Sequence, residues 1–70
     1  MIRQPVNSGS LRSVGYDLRP GILEIEFANG SVYQYLDTPA AVYQELLIAP
    51  SHRNYFARHI RDRYPYRKIG

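Results

Sequence analysis

The chain has 70 residues, enough for one small domain, and it contains no cysteine, so disulfide bridges and zinc–thiolate sites are excluded. No stretch has the length of a membrane span or the layout of a secretory signal, so we expect a soluble, cytoplasmic protein without a membrane partner. The net charge is +3, but residues 51–70 hold six of the nine Lys and Arg residues and one of the six acidic residues. This asymmetry favours a polyanionic partner.

The N-terminal half of the chain predicts strands. Residues 1–9 show no periodicity and end in Asn-Ser-Gly, which predicts a loose lead-in followed by a single domain over residues 10–70. A first strand is predicted over residues 10–17, with a kink at Gly15. After a Pro-Gly turn, residues 22–28 alternate apolar and acidic side chains, which predicts the clearest strand of the chain.

The next predicted strand, residues 31–36, contains Tyr33 and Tyr35, and the length of the loop before it decides which face these rings join. If the Asn-Gly pair alone forms the loop, both tyrosines fall beside the glutamates on the polar face. If the loop has three residues with a bulge at Gly30, Ile25 lies opposite Tyr33 and both rings join the apolar face. We favour the bulged register because it buries more aromatic surface.

Two amphipathic helices are predicted after these strands. Thr38 as N-cap and Pro39 as the first helical residue begin the first helix, and Ser51 caps the second, which we expect to end near Asp62. The apolar stripe of the first helix consists of Val42, Tyr43, Leu46 and Leu47. That of the second helix consists of Tyr55, Phe56, His59 and Ile60. A three-stranded antiparallel β-meander followed by two helices packed on one sheet face makes an α+β domain.

Residues that could support catalysis are few. His52 and His59 could share one helix face, but no cysteine or suitably placed carboxylate accompanies them, so we expect no metal site. Glu24 and Glu26 could act as paired acids, although such alternation is typical of the solvent-facing side of a strand. Glycine-rich phosphate loops and nucleophile-elbow motifs do not occur. We therefore expect no enzymatic activity and no cofactor, and we have no reason to expect a concave pocket.

The remaining candidate site is the C-terminal segment, in which basic and aromatic residues interleave. Single-stranded nucleic acid is held by cations along its phosphates and by aromatic rings against its bases. Tyr64 and Tyr66 could provide such rings, although packing of both rings against the sheet is favoured, and the arginines could serve solubility equally well. The candidate nucleic-acid-binding residues are Arg53, Arg58, Arg61, Arg63, Arg67 and Lys68.

A series of motifs extends over about residues 8–66. It comprises Gly15-Tyr16-Asp17, LEIEFANG, the pair Tyr33 and Tyr35, Thr38-Pro39 with VYQELLIAPS, and YFARHIRDRYPY. Together these motifs resemble the KTSC domain family, short domains named for their occurrence at the C-terminus of some lysyl-tRNA synthetases. The resemblance supports the fold and, through the synthetase fusion, implies RNA binding, and it implies no catalytic residues.

We therefore expect a small non-catalytic domain that binds RNA, either tRNA or a single strand, weakly and with little sequence preference. If the basic end neutralises five phosphates, log K should fall with log salt concentration with a slope of about −3.5. The alternative is a protein-interaction or homodimerisation module without nucleic-acid binding. So small a core with seven tyrosines could leave an apolar patch or a sheet edge to be covered by a partner.

Overall fold

The computed structural model describes all residues from Met1 to Gly70. Its elements are β1 (Gln4–Pro5), β2 (Leu11–Asp17), β3 (Ile22–Phe27), β4 (Val32–Tyr35), α1 (Ala40–Ile48), α2 (His52–His59) and β5 (Tyr66–Lys68). The five strands form one antiparallel sheet in chain order. The α+β class is confirmed, but the predicted three-stranded sheet is incomplete because the meander of β2, β3 and β4 has a further strand at each edge.

The predicted loose lead-in over residues 1–9 contributes the edge strand β1 instead. Gln4 lies opposite Val14, and the amide of Val6 donates a hydrogen bond to a carbonyl of β2 at 3.0 Å. Pro5 has no N–H to donate, so this segment has the sequence character of a loop. An edge strand nevertheless tolerates proline, because one side of the strand has no neighbour to pair with.

The predicted C-terminal tail contains the other edge strand, β5, just after Pro65. Tyr66 lies opposite Tyr35, and Lys68 lies opposite Tyr33. All three residues of β5 are exposed, so the segment lacks the apolar alternation that identifies a strand from sequence. The tail does pack against the sheet, and it does so through a backbone ladder.

The β3–β4 hairpin has the bulged register. Ile25 lies opposite Tyr33, and Leu23 lies opposite Tyr35. Gly30 has a φ of 91°, in the left-handed region that the bulge of a three-residue loop requires. The favoured loop is therefore confirmed, and both tyrosine rings lie on the apolar face of the sheet.

Strand β2 is irregular at Arg12 rather than at the predicted position, Gly15. The pairing register with β3 shifts between Leu11 and Ser13. Gly15 has a different role, because a Cβ atom at this position would lie 2.7 Å from the carbonyl oxygen of Ile2. The glycine therefore allows the N-terminal segment to cross closely over the sheet.

The hydrophobic core lies between the apolar sheet face and the helices. Leu23 and Ile25 of β3 are fully buried, as are Leu46 of α1 and Ile60 just after α2. The other core residues are Leu11, Val14, Tyr35 and Phe56. The two helices thus pack on one sheet face as predicted, and neither has the length and apolar character needed to cross a membrane.

The start of α1 differs from the prediction. The hydroxyl of Thr38 donates to the carbonyl of Tyr35 at 3.0 Å, and Pro39 occupies the N-cap position without a side-chain hydrogen bond. Asp37, with a φ of 54°, folds the chain back just before this point. The buried Thr38 side chain therefore bonds to the preceding strand and does not cap the helix.

The start of α2 matches the prediction, and its end does not. The side chain of Ser51 accepts a hydrogen bond from the amide of Asn54 at 3.1 Å, so Ser51 is the N-cap. The helix ends at His59 instead of near Asp62. Two successive amides there donate to the carbonyl of Phe56, and the regular hydrogen-bond pattern stops at this shared acceptor.

The opposite face of the sheet carries a polar network around Glu24. Arg3 donates to the Glu24 carboxylate at 2.6 Å, and Gln34 donates to it at 2.8 Å. Glu24 is only 5% exposed, so the expectation of a solvent-facing side is wrong for this residue. Burial would raise the pKa of Glu24, but the hydrogen bonds from Gln34 and Arg3 outweigh it and leave the pKa below its ordinary value.

Candidate nucleic-acid interface

An aromatic cleft opens on the helix-covered side of the sheet, next to the C-terminal end of α2. Its volume is about 640 Å³. The rings that line it are those of Phe27, Tyr33, Tyr35, Phe56 and Tyr66. Neighbouring ring centroids lie from 5.2 Å apart, for Phe27 and Phe56, to 6.4 Å apart, for Tyr33 and Tyr35. No feature of the sequence had indicated a concave site here.

The three tyrosines of the cleft differ in exposure. Tyr35 is 4% exposed and forms the floor, Tyr33 is half-buried, and Tyr66 is 59% exposed. Burial raises the pKa of Tyr35 to about 12, and the neighbouring Tyr33 and Tyr66 add to this effect. The bulged register directs Tyr33 and Tyr35 to the apolar face, but it buries only Tyr35 completely. The rings of Tyr33 and Tyr66 stay accessible to a ligand.

The two C-terminal tyrosines occupy different environments. Tyr64 is half-buried and packs against the core, as the packing interpretation predicts. Tyr66 lies in the cleft, with its ring centroid 5.7 Å from that of Tyr33 and the two planes inclined by 50°. Of the two predicted stacking rings, only Tyr66 is in a position to contact a ligand in the cleft.

Polar groups at the rim supply charge and hydrogen bonds. Arg61 and Asp62, which follow α2, both line the cleft. Asn29 lies at the same rim, and its side-chain oxygen accepts from the amide of Ser31 at 3.0 Å. The amide nitrogen of Asn29 therefore points away from the turn contact and keeps both of its hydrogens for other acceptors.

Three of the six predicted basic residues lie at or beside the cleft. Arg53 lines a second hollow of about 300 Å³, which shares Phe27, Phe56 and Arg61 with the cleft. Lys68 lies opposite Tyr33, and because residues directly opposite each other in an antiparallel pair point to the same side of the sheet, it shares the face of that ring. These three cations, Arg53, Arg61 and Lys68, are called the cleft cations below.

The other three predicted basic residues point elsewhere. Arg67 lies on the polar face, where its Nε donates to the side-chain oxygen of Gln34 at 2.9 Å. Arg58 lines a separate small hollow beside His59, and Arg63 is exposed in the turn after α2. The six residues predicted as one basic surface are therefore divided between two sheet faces and the outer side of α2.

The two histidines have structural contacts. Nδ1 of His52 lies 2.8 Å from the carbonyl oxygen of Leu46 and links the start of α2 to α1. The ring of His59 packs against Tyr55 at a centroid distance of 4.5 Å. No group of three His, Cys, Asp or Glu side chains in the chain lies close enough to hold a metal ion.

Sequence reasoning missed several residues of the cleft. The sequence predicts that Tyr33, Phe56 and the apolar side of the strand over residues 22–28, which includes Phe27, face the core, and it gives Asp62 no role beyond ending a helix. The signal that could have found Tyr33 is the register itself. Two short helices cover only part of the face that this register gives to Tyr33, so its ring stays half-buried.

Comparison with known proteins agrees with this architecture. Residues 7–64 match the KTSC domain family. The crystal structure of a KTSC domain protein from Yersinia pestis has a TM-score of 0.96 and 39% identity, covering 99% of this chain and 97% of that one. A protein of Stutzerimonas stutzeri is 46% identical over 56 residues, which is 80% of this chain and 79% of that protein.

A larger protein contains a similar segment. A lysine–tRNA ligase of Trichormus variabilis is 34% identical over 60 residues, which is 86% of this chain but 11% of the ligase. The segment that matches the family includes β2 to β4 and both helices, and the Yersinia pestis structure extends the agreement to the edge strands. The chain therefore belongs to the KTSC domain family.

Proposed function

We propose that this domain binds single-stranded RNA in the aromatic cleft, with the cleft cations holding the phosphates. One observation carries the proposal: the accessible rings of Tyr33 and Tyr66 lie on the same face as Arg61 and Lys68. The site is small, so the binding is weak and uses only a few nucleotides. A cytoplasmic location is part of the same proposal.

The rings suit nucleobases. Stacking of a base on an aromatic side chain contributes about 1–3 kcal/mol and tolerates every base, because each base has a π-face. Tyr33 is held in place by Phe27, whose ring meets it edge-on with centroids 5.6 Å apart. A ring fixed in this way loses little further conformational freedom when a base stacks on it.

The charges of the cleft are available for phosphates. Ion pairs in this chain engage Arg3 and Arg12, on the polar face. Arg53, Arg61 and Lys68 form no ion pair, so a phosphate does not have to displace a carboxylate from them. Cations next to stacking rings are the combination that single-strand-binding grooves use.

A relative supports RNA as the partner. The lysine–tRNA ligase of Trichormus variabilis acts, by its name, on a tRNA, and it contains a segment similar to most of this chain. This chain covers only 11% of the ligase, so its aminoacylation chemistry is not carried over. An RNA-binding role suits this domain both as a small protein and as a segment of the ligase.

Fluorescence anisotropy with a labelled single-stranded RNA heptamer tests the proposal. Tyr66→Leu should weaken binding about tenfold, because a stacking ring is lost, whereas Tyr66→Phe should bind like the original protein. Arg61→Ala should also weaken binding. Arg67→Ala removes the same charge from the polar face and should leave affinity nearly unchanged. Equal losses in the two arginine variants would contradict a binding site in the cleft.

The salt dependence of the affinity reports how many RNA phosphates the protein neutralises. Contacts from the three cleft cations predict a slope of log K against log salt of about −2 for a single strand. A slope near −3.5 would mean that about five basic residues take part, including those that lie away from the cleft. A slope near zero would remove the proposal.

The competing function is a homodimerisation or protein-interaction module. Size-exclusion chromatography with light scattering separates the two, because an RNA-binding monomer should elute at the mass of one chain and shift when RNA is added. A stable dimer that does not respond to RNA would replace the proposed function.

A further inference from the structure

Asp62 gives the cleft an acidic group beside its arginine. Arg61 and Asp62 follow each other after α2, and both line the cleft. The ion pairs and side-chain hydrogen bonds of the chain involve neither side chain. Both side chains are exposed, so both groups are available to a ligand in the cleft.

A ligand that satisfies both groups carries an anion for Arg61 and N–H donors for Asp62. A carboxylate has two acceptor oxygens side by side, so it is matched best by two adjacent donors. Among the RNA bases, guanine alone has two neighbouring donors on its Watson–Crick edge, the ring N–H and the exocyclic amino group. Adenine, cytosine and uracil place an acceptor next to the donor on that edge, and one carboxylate oxygen would then face a lone pair.

We propose that the cleft selects a guanine nucleotide within the RNA. The guanine ring stacks on Tyr66, the more exposed of the two accessible rings, its Watson–Crick edge donates to Asp62, and an adjacent phosphate contacts Arg61. This inference rests on the proposed function, since it names the base that the same cleft holds. Because only one base is recognised and the other bound bases are not, the overall sequence preference of the site stays small.

Four uridine heptamers that carry guanine, adenine, cytosine or uracil at the centre test the selection by fluorescence anisotropy. The guanine heptamer should bind about tenfold more tightly than the other three, which corresponds to one well-placed bidentate contact. A heptamer with inosine at the centre lacks the exocyclic amino group and keeps the ring N–H. It should bind with an affinity between those of the guanine and adenine heptamers.

The variant Asp62→Asn tests whether the Asp62 carboxylate is the group that recognises guanine. The variant keeps the size and exposure of the side chain but replaces one acceptor oxygen by a donor, so the guanine preference should fall below about twofold. Affinity for the other heptamers should stay equal or rise, because a negative charge near the phosphates is removed. Asp17→Asn removes an exposed charge at the end of β2 and should retain the guanine preference.

The outcomes separate this inference from the proposed function. Equal binding of all four heptamers would overturn guanine selection and leave RNA binding in place. A guanine preference that persists in Asp62→Asn would overturn the role of Asp62. Failure of every heptamer to bind would overturn both.

Discussion

Ile25 lies directly opposite Tyr33 in the β3–β4 hairpin, and this pairing determines which surface of the domain can bind a ligand. It places Tyr33 and Tyr35 on the face that the helices cover. Because the helices cover only part of that face, Tyr33 remains accessible at the cleft. A register shifted by one residue would move both rings to the polar face with Glu24.

Gly30 maintains this register, so Gly30→Ala should lower the free energy of unfolding by about 1–2 kcal/mol, the cost of a left-handed conformation in a residue with a Cβ. Nothing lies within 4 Å of a Cβ at this position, so the effect should come from backbone strain alone, and Gly30→Asn should be milder. Chemical denaturation measures both. Gly9→Ala is the control, because Gly9 has open space and no positive φ. An equal effect at Gly9 would contradict the bulged turn.

Gly15→Ala tests the close crossing of the N-terminal segment. A Cβ at this position would meet the carbonyl oxygen of Ile2 at 2.7 Å and the side chain of Arg3 at 3.1 Å. We expect a loss of about 1–3 kcal/mol in the free energy of unfolding, as for other overpacked sites. In a chain that lacks residues 1–3 the same substitution should cost much less. An undiminished cost in the shortened chain would show that the N-terminal segment is not the obstacle.

Glu24→Gln should destabilise the protein near neutral pH by about 1–3 kcal/mol, because a buried carboxylate with charged and neutral donors is lost. Folding lowers the pKa of Glu24 from its ordinary value of 4.5. Its stabilising contribution is therefore complete above that value and disappears as pH falls through the lower value of the folded state. Denaturation curves of the two proteins should converge in acid. A difference that persists unchanged in acid would contradict an ionised Glu24.

Two tyrosines should ionise late in an alkaline titration. Burial raises the pKa of Tyr35 to about 12, and burial together with the hydrogen bond to Glu45 raises that of Tyr55 to about 12. Folded-state pKa values above the ordinary 10 mean that their stabilising contribution is present below pH 10 and is lost as pH rises toward 12. The chain has seven tyrosines and no tryptophan, so ultraviolet absorbance follows this titration directly.

The variants Tyr35→Phe and Tyr55→Phe should each lose one late-ionising group from the titration. The Tyr55 hydroxyl donates to Glu45 at 2.7 Å, so Glu45→Gln should bring the ionisation of Tyr55 to lower pH and leave that of Tyr35 unchanged. Seven tyrosines that titrate together near the ordinary value would contradict the burial of Tyr35.

The central part of the fold was predictable because its signals are strong and local. Alternation in β3, the Asn-Gly turn and the Ser51 cap each act through neighbouring residues. The edge strands β1 and β5 were not predictable, because one contains a proline and the other has no buried residue. Their pairing depends on contacts between distant parts of the chain, which local pattern does not record.

The sequence suggested basic and aromatic residues for a candidate site, but it did not locate the cleft. The clustered arginines led us to expect one basic surface, but strand alternation places Arg67 and Lys68 on opposite faces. The cleft itself forms where β4, β5 and the end of α2 meet. Because β5 was not expected, neither the position of Tyr66 nor the concave shape could be inferred.

The most direct measurement of the central claim is an NMR titration of the labelled protein with a short single-stranded RNA, followed at two side-chain amides. Asn29 lines the cleft, whereas the Gln34 amide donates to Glu24 on the polar face. Binding in the cleft predicts that the Asn29 signal shifts together with the backbone amides of Tyr33, Arg61 and neighbouring residues, while the Gln34 signal stays in place. A shift of Gln34 without one of Asn29, or no shift at either amide, would contradict an RNA site in the cleft.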